Sequence, residues 1–145
     1  MTTIFFDMDG TIADLYGVEN WLEYLINGNE YPYKAASPLL NLNSLARILN
    51  RLQRQGFRIA VISWLAKNGS ANYNDKVTAA KLNWLKKHLA SVRFDEIHIV
   101  EYGTPKEIFS TDVNDILFDD EARNRDNWTG TAYNVNSIIE TLKTF

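Results

Sequence analysis

Polar side chains stand at or shortly after the points where the apolar runs of this sequence end. They comprise four carboxylates, one hydroxyl and one lysine: Asp7, Asp9, Ser63, Lys106, Asp119 and Asp120. Mg²⁺ binds oxygen ligands, usually one or two carboxylates completed by water and a substrate phosphate. A lysine neutralises the phosphoryl oxygens that such a metal ion does not reach. These residue types therefore indicate a site for Mg²⁺ and a phosphate group, if the fold brings them together.

The apolar runs have the length of strands, and most of them are continuous rather than alternating. They cover residues 3–6, 57–62, 97–100, 116–118 and 131–135. Continuous apolar runs are typical of strands that are buried on both faces, so the sequence predicts a mostly parallel, five-stranded sheet with helices on both faces. Ligands of such sheets bind beyond the carboxyl ends of the strands, which is where the polar residues stand.

Apolar residues at helical spacing lie between the strand-like runs. They predict helices around residues 45–52, 77–89 and 138–142, and a shorter helix over residues 21–26. We expect Asn43 or Ser44 to cap the first helix and Asn74 to cap the second. Gly56 is expected to end the first. Residues 27–42, 64–74 and 121–130 show no periodicity and are predicted to be loops. Helices that alternate with strands indicate a layered α/β domain.

Length and composition fit one ordinary globular domain. The chain has 145 residues, of which 46% are hydrophobic, and its 15 Lys and Arg against 18 Asp and Glu give a net charge of −3. It has no cysteine, which excludes a disulfide framework, a zinc–thiolate site and a cysteine nucleophile. The mild acidity argues against a general nucleic-acid surface. Residues 1–10 lack the features of a signal peptide and no stretch is apolar enough for a membrane span, so we expect a cytoplasmic protein.

The polar residues resemble, in order, the four motifs of the haloacid dehalogenase-like (HAD) hydrolases. Residues 7–11, DMDGT, are similar to the first motif, which is the most specific of the four. Ser63, Lys106 and the pair Asp119-Asp120 are similar to the other three. The resemblance implies a single catalytic domain over residues 1–145 with a three-layer, Rossmann-like fold. The cap would be minimal or missing, at most a small one over residues 15–42.

The resemblance also implies a role for each side chain. Asp7 would be the nucleophile that attacks phosphorus and forms an aspartyl-phosphate. Asp9 would protonate the leaving oxygen and then deprotonate the attacking water. Phosphate would be bound by Gly10, Thr11, Ser63 and Lys106. Mg²⁺ would be held by Asp7, the backbone carbonyl of Asp9, Asp119 and Asp120. Of the acidic pair, Asp120 is expected to be the direct ligand and Asp119 its orienting partner.

A finer resemblance is to the cytosolic 5'(3')-deoxyribonucleotidases. It covers residues 81–85, 94–97, 106 and 112–120. It implies a small phosphorylated substrate, a nucleoside monophosphate, and we expect Trp64, directly after Ser63, to stack on its base. Trp21 is expected to pack in the core. The segment between Gly10 and Asn43 is shorter than the helical cap of those enzymes. The alternative is therefore an open site that acts on nucleic-acid ends or phosphoproteins.

Three other interpretations use the same residues. A calcium loop that begins at Asp7 is excluded, because its sixth and twelfth positions would be Ile12 and Val18. A non-enzymatic, receiver-like module is disfavoured, because in this chain the lysine precedes the acidic pair. A catalytically inactive phosphate-binding relative stays open. The phosphate lysine is expected to be Lys106, shortly before the fourth strand, and its competitors are Lys67, Lys76 and Lys81.

Overall fold

A five-stranded parallel sheet forms the centre of the computed structural model, which describes residues 1–145. The strands are β1 (Thr3–Phe6), β2 (Ala13–Asp14), β3 (Ser37–Pro38), β4 (Arg58–Trp64), β5 (Glu96–Val100), β6 (Ile116–Phe118) and β7 (Thr131–Tyr133). The central sheet has the order β5-β4-β1-β6-β7, and every neighbouring pair is parallel. β2 and β3 form a separate antiparallel pair. The parallel sheet predicted from the continuous apolar runs is confirmed.

Helices connect the strands in the alternation that the sequence predicts. They are α1 (Trp21–Ile26), α2 (Tyr31–Ala35), α3 (Leu42–Arg54), α4 (Ala71–His88), α5 (Ala122–Asn127) and α6 (Ile138–Leu142). Short 3-10 turns lie at Leu15–Gly17, Lys106–Phe109 and Val135–Ser137. None of these helices combines the length and the apolar character that crossing a membrane requires.

The two faces of the sheet bury different clusters, because successive side chains of a strand point in opposite directions. On one face, Ile4 and Phe6 of β1 belong to a core of 20 buried residues to which α3, α4 and α6 contribute. On the other, Phe5 packs edge-on against Trp128 with ring centroids 5.3 Å apart. Covering both faces explains why the strands are apolar throughout. The layer that covers the Phe5 face of the sheet is thinner, and it consists of the chain around α5 and the turn that ends at Phe109.

The predicted helix starts are wrong by several residues. α3 begins at Leu42, and the side chain of Asn41 accepts a hydrogen bond of 3.0 Å from the Ser44 amide, in place of the expected caps at Asn43 or Ser44. α4 begins at Ala71 behind Ser70, ahead of Asn74. The first turn of each helix is mostly polar and buries one residue, Leu42 in α3 and Tyr73 in α4, so the regular apolar spacing begins later than the helix. Gly56, with φ of 98°, follows the end of α3 as predicted.

Short elements occupy the segments that were predicted to be loops. α2 and β3 lie within residues 27–42, α5 lies within residues 121–130, and α4 begins within residues 64–74. The helices α2 and α5 have five and six residues. A helix of that length makes fewer than two turns and presents too few apolar residues to show a period.

A buried carboxylate ties the beginnings of β1 and β6 together. Asp115 is fully buried, and its oxygens accept hydrogen bonds from the Thr3 amide at 2.8 Å and the Thr111 amide at 3.0 Å. The Asp112 amide and the Ser110 hydroxyl donate to the same side chain at 3.2 and 3.1 Å. The network lies at the amino end of the sheet, opposite the acidic pairs, and sets the register from which β1 and β6 run.

Replacing Asp115 with Ala should lower the free energy of unfolding by about 3 kcal/mol, because several buried donors then lose their acceptor. Urea unfolding followed by circular dichroism measures the difference. Asp126→Ala, at an exposed position of α5, is the matched control and should change the free energy by about 0.5 kcal/mol or less. Equal midpoints for the two variants would contradict the structural role of Asp115.

Candidate active site

The acidic residues meet because their strands are neighbours. β1 and β6 pair in parallel with Phe6 opposite Phe118. The Asp7 amide then donates to the Phe118 carbonyl at 3.0 Å, so the chain leaves both strands side by side. Asp7 and Asp119 are buried at the carboxyl end of the sheet. The 3-10 turn that begins at Lys106 brings its side chain to the same place.

A buried lysine joins the two strand ends. The Lys106 ammonium donates to Asp7 Oδ1 at 2.9 Å and to Asp119 Oδ2 at 2.7 Å, and the residue is 1% exposed. Burial by itself would lower the pKa of Lys106, but the charges of Asp7 and Asp119 raise it above its ordinary value. The ammonium therefore stays charged at neutral pH, and it can offset negative charge on any group bound beside Asp7.

Three carboxylates converge next to this lysine. Asp7, Asp119 and Asp120 each offer an oxygen atom, and the three atoms lie within 4.8 Å of one another. Burial and then the charge of Asp7 raise the pKa of Asp119 and raise that of Asp120 to about 8. Hard oxygen donors at this density are a ligand set that suits Mg²⁺. A divalent cation would also relieve the repulsion that raises the two pKa values.

Asp119 and Asp120 have different surroundings. The Glu121 amide donates to Asp119 Oδ1 at 2.9 Å, and the Asn124 side chain donates to Asp119 Oδ2 at 3.1 Å. Arg125 donates to the Asp119 carbonyl at 3.0 Å. Asp120 lines the cavity and keeps part of its surface exposed, so its carboxylate stays accessible although the groups around it remove part of its hydration. Asn124 is a site residue that the sequence did not indicate, because nothing in the local sequence shows that α5 folds back over Asp119.

Gly10 and Thr11 shape the loop that follows β1. Gly10 has φ of 81°, and a Cβ there would collide with the Asp120 carboxylate. Its amide donates to the Ala13 carbonyl at 2.9 Å. The Thr11 hydroxyl donates to Asp7 Oδ2 at 3.0 Å and lies 3.5 Å from Asp120 Oδ1. In the free protein these two residues therefore order the loop and its carboxylates, and the binding of phosphate by either one stays a prediction.

A second buried lysine, Lys81, contacts Asp9 and Ser63. Lys81 donates to Asp9 Oδ2 at 2.8 Å and to Ser63 Oγ at 2.6 Å, and it is 1% exposed. Burial raises the pKa of Asp9, and Lys81 opposes that rise. Its spacing was an available signal, since Lys81 lies four residues from both Val77 and Leu85 on the apolar stripe of α4.

Ser63 is a predicted site residue whose side chain is enclosed by the protein. Its side chain is fully buried and does not line the cavity described below. The hydroxyl accepts from Lys81, so its own proton remains available to an acceptor. A direct contact between Ser63 and a phosphate, which the motif resemblance implies, stays a prediction.

A cavity of about 600 Å³ opens above the carboxylates. Its floor contains Asp7, Asp9, Lys106, Asp119 and Asp120. One wall comes from the chain between β1 and α3 and is apolar and aromatic: Leu15, Tyr16, Trp21, Leu22, Leu25, Ile26 and Tyr33. Trp21 was expected in the core; it is instead half-buried, lines this wall and packs edge-on against Tyr16 at 5.0 Å between ring centroids. Short helices expose Trp21 because no second layer covers them.

Trp64 lies in the wall opposite. Its indole N–H donates to the Thr104 carbonyl at 2.9 Å, and its ring centroid is 5.0 Å from that of Tyr102. The Arg123 guanidinium lies 4.9 Å from the Trp64 ring centroid and the Lys106 ammonium 5.4 Å from it. The ring lines the cavity but is already in contact with cations of the protein. Stacking of Trp64 on a substrate stays a prediction.

Among solved structures, the fold is similar to that of a D,D-heptose 1,7-bisphosphate phosphatase from Burkholderia thailandensis. The two chains align with a TM-score of 0.51 and 16% sequence identity, over 87% of this chain and 70% of that one. No protein-family model matches the sequence, and no curated protein sequence matches it. At this identity the likeness concerns the fold, and it confirms the Rossmann-like α/β architecture that the motif resemblance implies.

Replacing Asp120 with Asn should stabilise the metal-free protein at high pH. Folding raises the pKa of this carboxyl from 3.8 to about 8, so its contribution to stability is present below the lower value and is lost as pH rises through the higher one. Solvent screens an exposed side chain, so only part of this shift appears as stability. With chelator, we expect Asp120→Asn to melt about 3 °C above the parent at about pH 9, equivalent to about 1 kcal/mol, and the difference to be smaller at about pH 5. Differential scanning fluorimetry measures the melting temperatures of both proteins at the two pH values.

Adding Mg²⁺ should reverse the order of the two melting temperatures, so that the parent melts above Asp120→Asn. The parent gains stability by binding the ion in its folded state, and Asp120→Asn, with one carboxylate fewer, gains less. Asp126→Asn, at an exposed position outside the cluster, is the control and should behave as the parent does. Equal melting temperatures for parent and Asp120→Asn at both pH values would contradict the proposed repulsion.

Proposed function

We propose that this protein is a Mg²⁺-dependent phosphatase of the HAD kind, which hydrolyses phosphate monoesters through an aspartyl-phosphate on Asp7. The observation that carries the proposal is the contact of one buried lysine, Lys106, with both Asp7 and Asp119 at the floor of a cavity. The phosphatase of similar fold supports it. The alternative, a cluster of carboxylates on the surface without a function, would be solvated by water. Such a cluster would not need a buried ammonium between its members.

The reaction divides into two displacements at phosphorus. In the first, an Asp7 oxygen forms a bond to phosphorus while the bond from phosphorus to the ester oxygen breaks, and Asp9 gives its proton to that leaving oxygen. In the second, water attacks phosphorus, its proton passes to Asp9, and the bond to Asp7 breaks. The products are an alcohol and inorganic phosphate, and both carboxylates return to their first state.

The protein's own groups make Asp7 suited to this chemistry. Lys106 holds Asp7 Oδ1 and Thr11 holds Asp7 Oδ2, so the carboxylate has a set orientation. The Lys106 charge stabilises negative charge that gathers on the transferring group. Mg²⁺, held by Asp7, Asp119 and Asp120, would supply further neutralisation of the phosphoryl oxygens when bound. Asp9 lines the cavity, within reach of a leaving group that extends into it.

The cavity favours a small ester with an apolar or planar alcohol. A volume of about 600 Å³ lies in the range of sites for small ligands, which are typically apolar with a few placed polar groups. The aromatic wall of Tyr16, Trp21 and Tyr33 suits a ring. Both features agree with a nucleoside monophosphate, the substrate that the finer sequence resemblance implies. A concave site of this kind favours a small molecule over nucleic-acid ends or phosphoproteins.

Phosphate release tests the chemistry. We expect the purified protein to release phosphate from a panel of nucleoside monophosphates, sugar phosphates and a 3'-phosphorylated oligonucleotide with Mg²⁺, and to stop when chelator is added. Asp7→Asn should lower turnover by at least about 10⁴-fold because the nucleophile is lost. Its circular dichroism spectrum should match that of the parent. Full activity of Asp7→Asn, or no release from any ester, would contradict the proposal.

Shortening the aromatic wall tests the substrate. Trp21→Ala should raise KM for nucleoside monophosphates by about tenfold, because one stacking contact is worth about 1–3 kcal/mol. The KM for glycerol phosphate should change little, since its alcohol, glycerol, has no ring. Leu39→Ala, exposed and outside the cavity, is the control. An equal rise of KM for both esters would argue against recognition of a planar group by this wall.

A further inference from the structure

Lys81 is the buried cation that the proposed reaction does not yet use. It lies on the core-facing stripe of α4 and is 1% exposed. Its ammonium donates to Asp9 Oδ2 at 2.8 Å, to Ser63 Oγ at 2.6 Å and to the Trp64 carbonyl at 2.7 Å. A lysine ammonium has three donors. All of them have partners within the protein, so Lys81 has none left for a substrate phosphate.

Asp9 has a free oxygen as a result. Lys81 holds Oδ2, and Oδ1 has no hydrogen-bond partner among the side-chain contacts of the protein, while the residue lines the cavity. An unanchored Asp9 carboxylate could rotate about its side-chain torsions. One oxygen anchored from behind and the other open to the cavity is the arrangement that proton transfer to a bound ester requires.

The surroundings of Lys81 indicate that its charge does more than fill space in the core. Burying an ammonium is costly, and an apolar side chain of similar length would fill the space between Val77 and Leu85 at lower cost. The Tyr33 ring, whose centroid is 5.1 Å from the ammonium, packs against it from the cavity wall. The three acceptors come from the loop after β1 and from the end of β4, so a single cation joins both strand ends.

We propose that Lys81 is a positioning residue, which holds the Asp9 carboxylate in the orientation for proton transfer to the leaving oxygen. The inference rests on the proposed function, since it assigns a role within that reaction. It separates the two buried lysines: Lys106 acts on Asp7 and the transferring group, and Lys81 acts through Asp9. Loss of Lys81 should therefore slow the step that Asp9 serves and leave ester binding unchanged.

The test compares two esters that differ in how much they need a proton. The oxygen of p-nitrophenyl phosphate leaves readily without one, whereas that of an alkyl phosphate such as glycerol phosphate does not. We expect Lys81→Met to lower kcat for the alkyl ester by about 10²-fold, the loss that follows a misplaced catalytic group. The loss for p-nitrophenyl phosphate should be several-fold smaller, and KM should stay within about twofold for both.

A double-mutant cycle shows whether Lys81 works through Asp9. In an Asp9→Asn background, Lys81→Met should cause little further loss, because the group that it positions is already absent. A merely structural role would lower kcat in that background as well, and for both esters alike. Lys87→Met, an exposed lysine on the same helix, is the matched control and should retain full kcat. Lys81→Arg retains the charge and should show the same ester preference in milder form.

The outcomes separate the two proposals. If the parent hydrolyses neither of these two esters nor any ester of the panel above, the proposed function fails and with it the role of Lys81. If the parent is active and Lys81→Met or Lys81→Arg loses equally on both esters, or loses as much in the Asp9→Asn background, the positioning role is overturned while the phosphatase stands. Should Lys81→Met fail to fold, which its melting curve would show, the ester comparison with Lys81→Arg decides the question.

Discussion

Negative charge gathered at one edge of the sheet is the constraint on which the rest of the site depends. Four carboxylates lie there with only two buried ammonium groups in contact with them, Lys81 and Lys106. When all are ionised, two negative charges remain without a cation of the protein. Burial and then this unneutralised charge raise the pKa of Asp120 in the free protein. A divalent cation is the counterion of matching charge, which links the metal requirement that we propose to the electrostatics of the fold.

The parallel register of β1 and β6 creates that gathering and the Asp115 network stabilises it from the far end. Because Asp7 N–H bonds to the Phe118 carbonyl, the residues that follow each strand must share one small volume. Gly10 is then needed where a Cβ would strike Asp120. The folding of α5 over Asp119 supplies its remaining donors. Each of these features follows from bringing like charges together and then satisfying their oxygens.

The two buried lysines contact different members of the acidic cluster. One stands between the strands that carry Asp7 and Asp119, and the other joins Asp9 to the end of β4. Above them, the chain between β1 and α3 forms only short elements, so its apolar side chains line a cavity rather than a core. A charged floor beneath an apolar wall suits an ester whose phosphate and alcohol differ strongly in polarity.

The sheet and the acidic residues at its edge can be predicted from the sequence alone. Continuous apolar runs are a local signature of strands covered on both faces, and the residues after each run must stand at one edge of a parallel sheet. The contacts within the site and the lining of the cavity become visible only in the folded chain. Lys81 and Asp9 are 72 residues apart, Trp21 lines a cavity instead of the core, and the Gly10 amide is used within its own loop. Such contacts depend on how distant elements pack against each other. The periodicity of a short segment does not show which distant residue its side chains will contact.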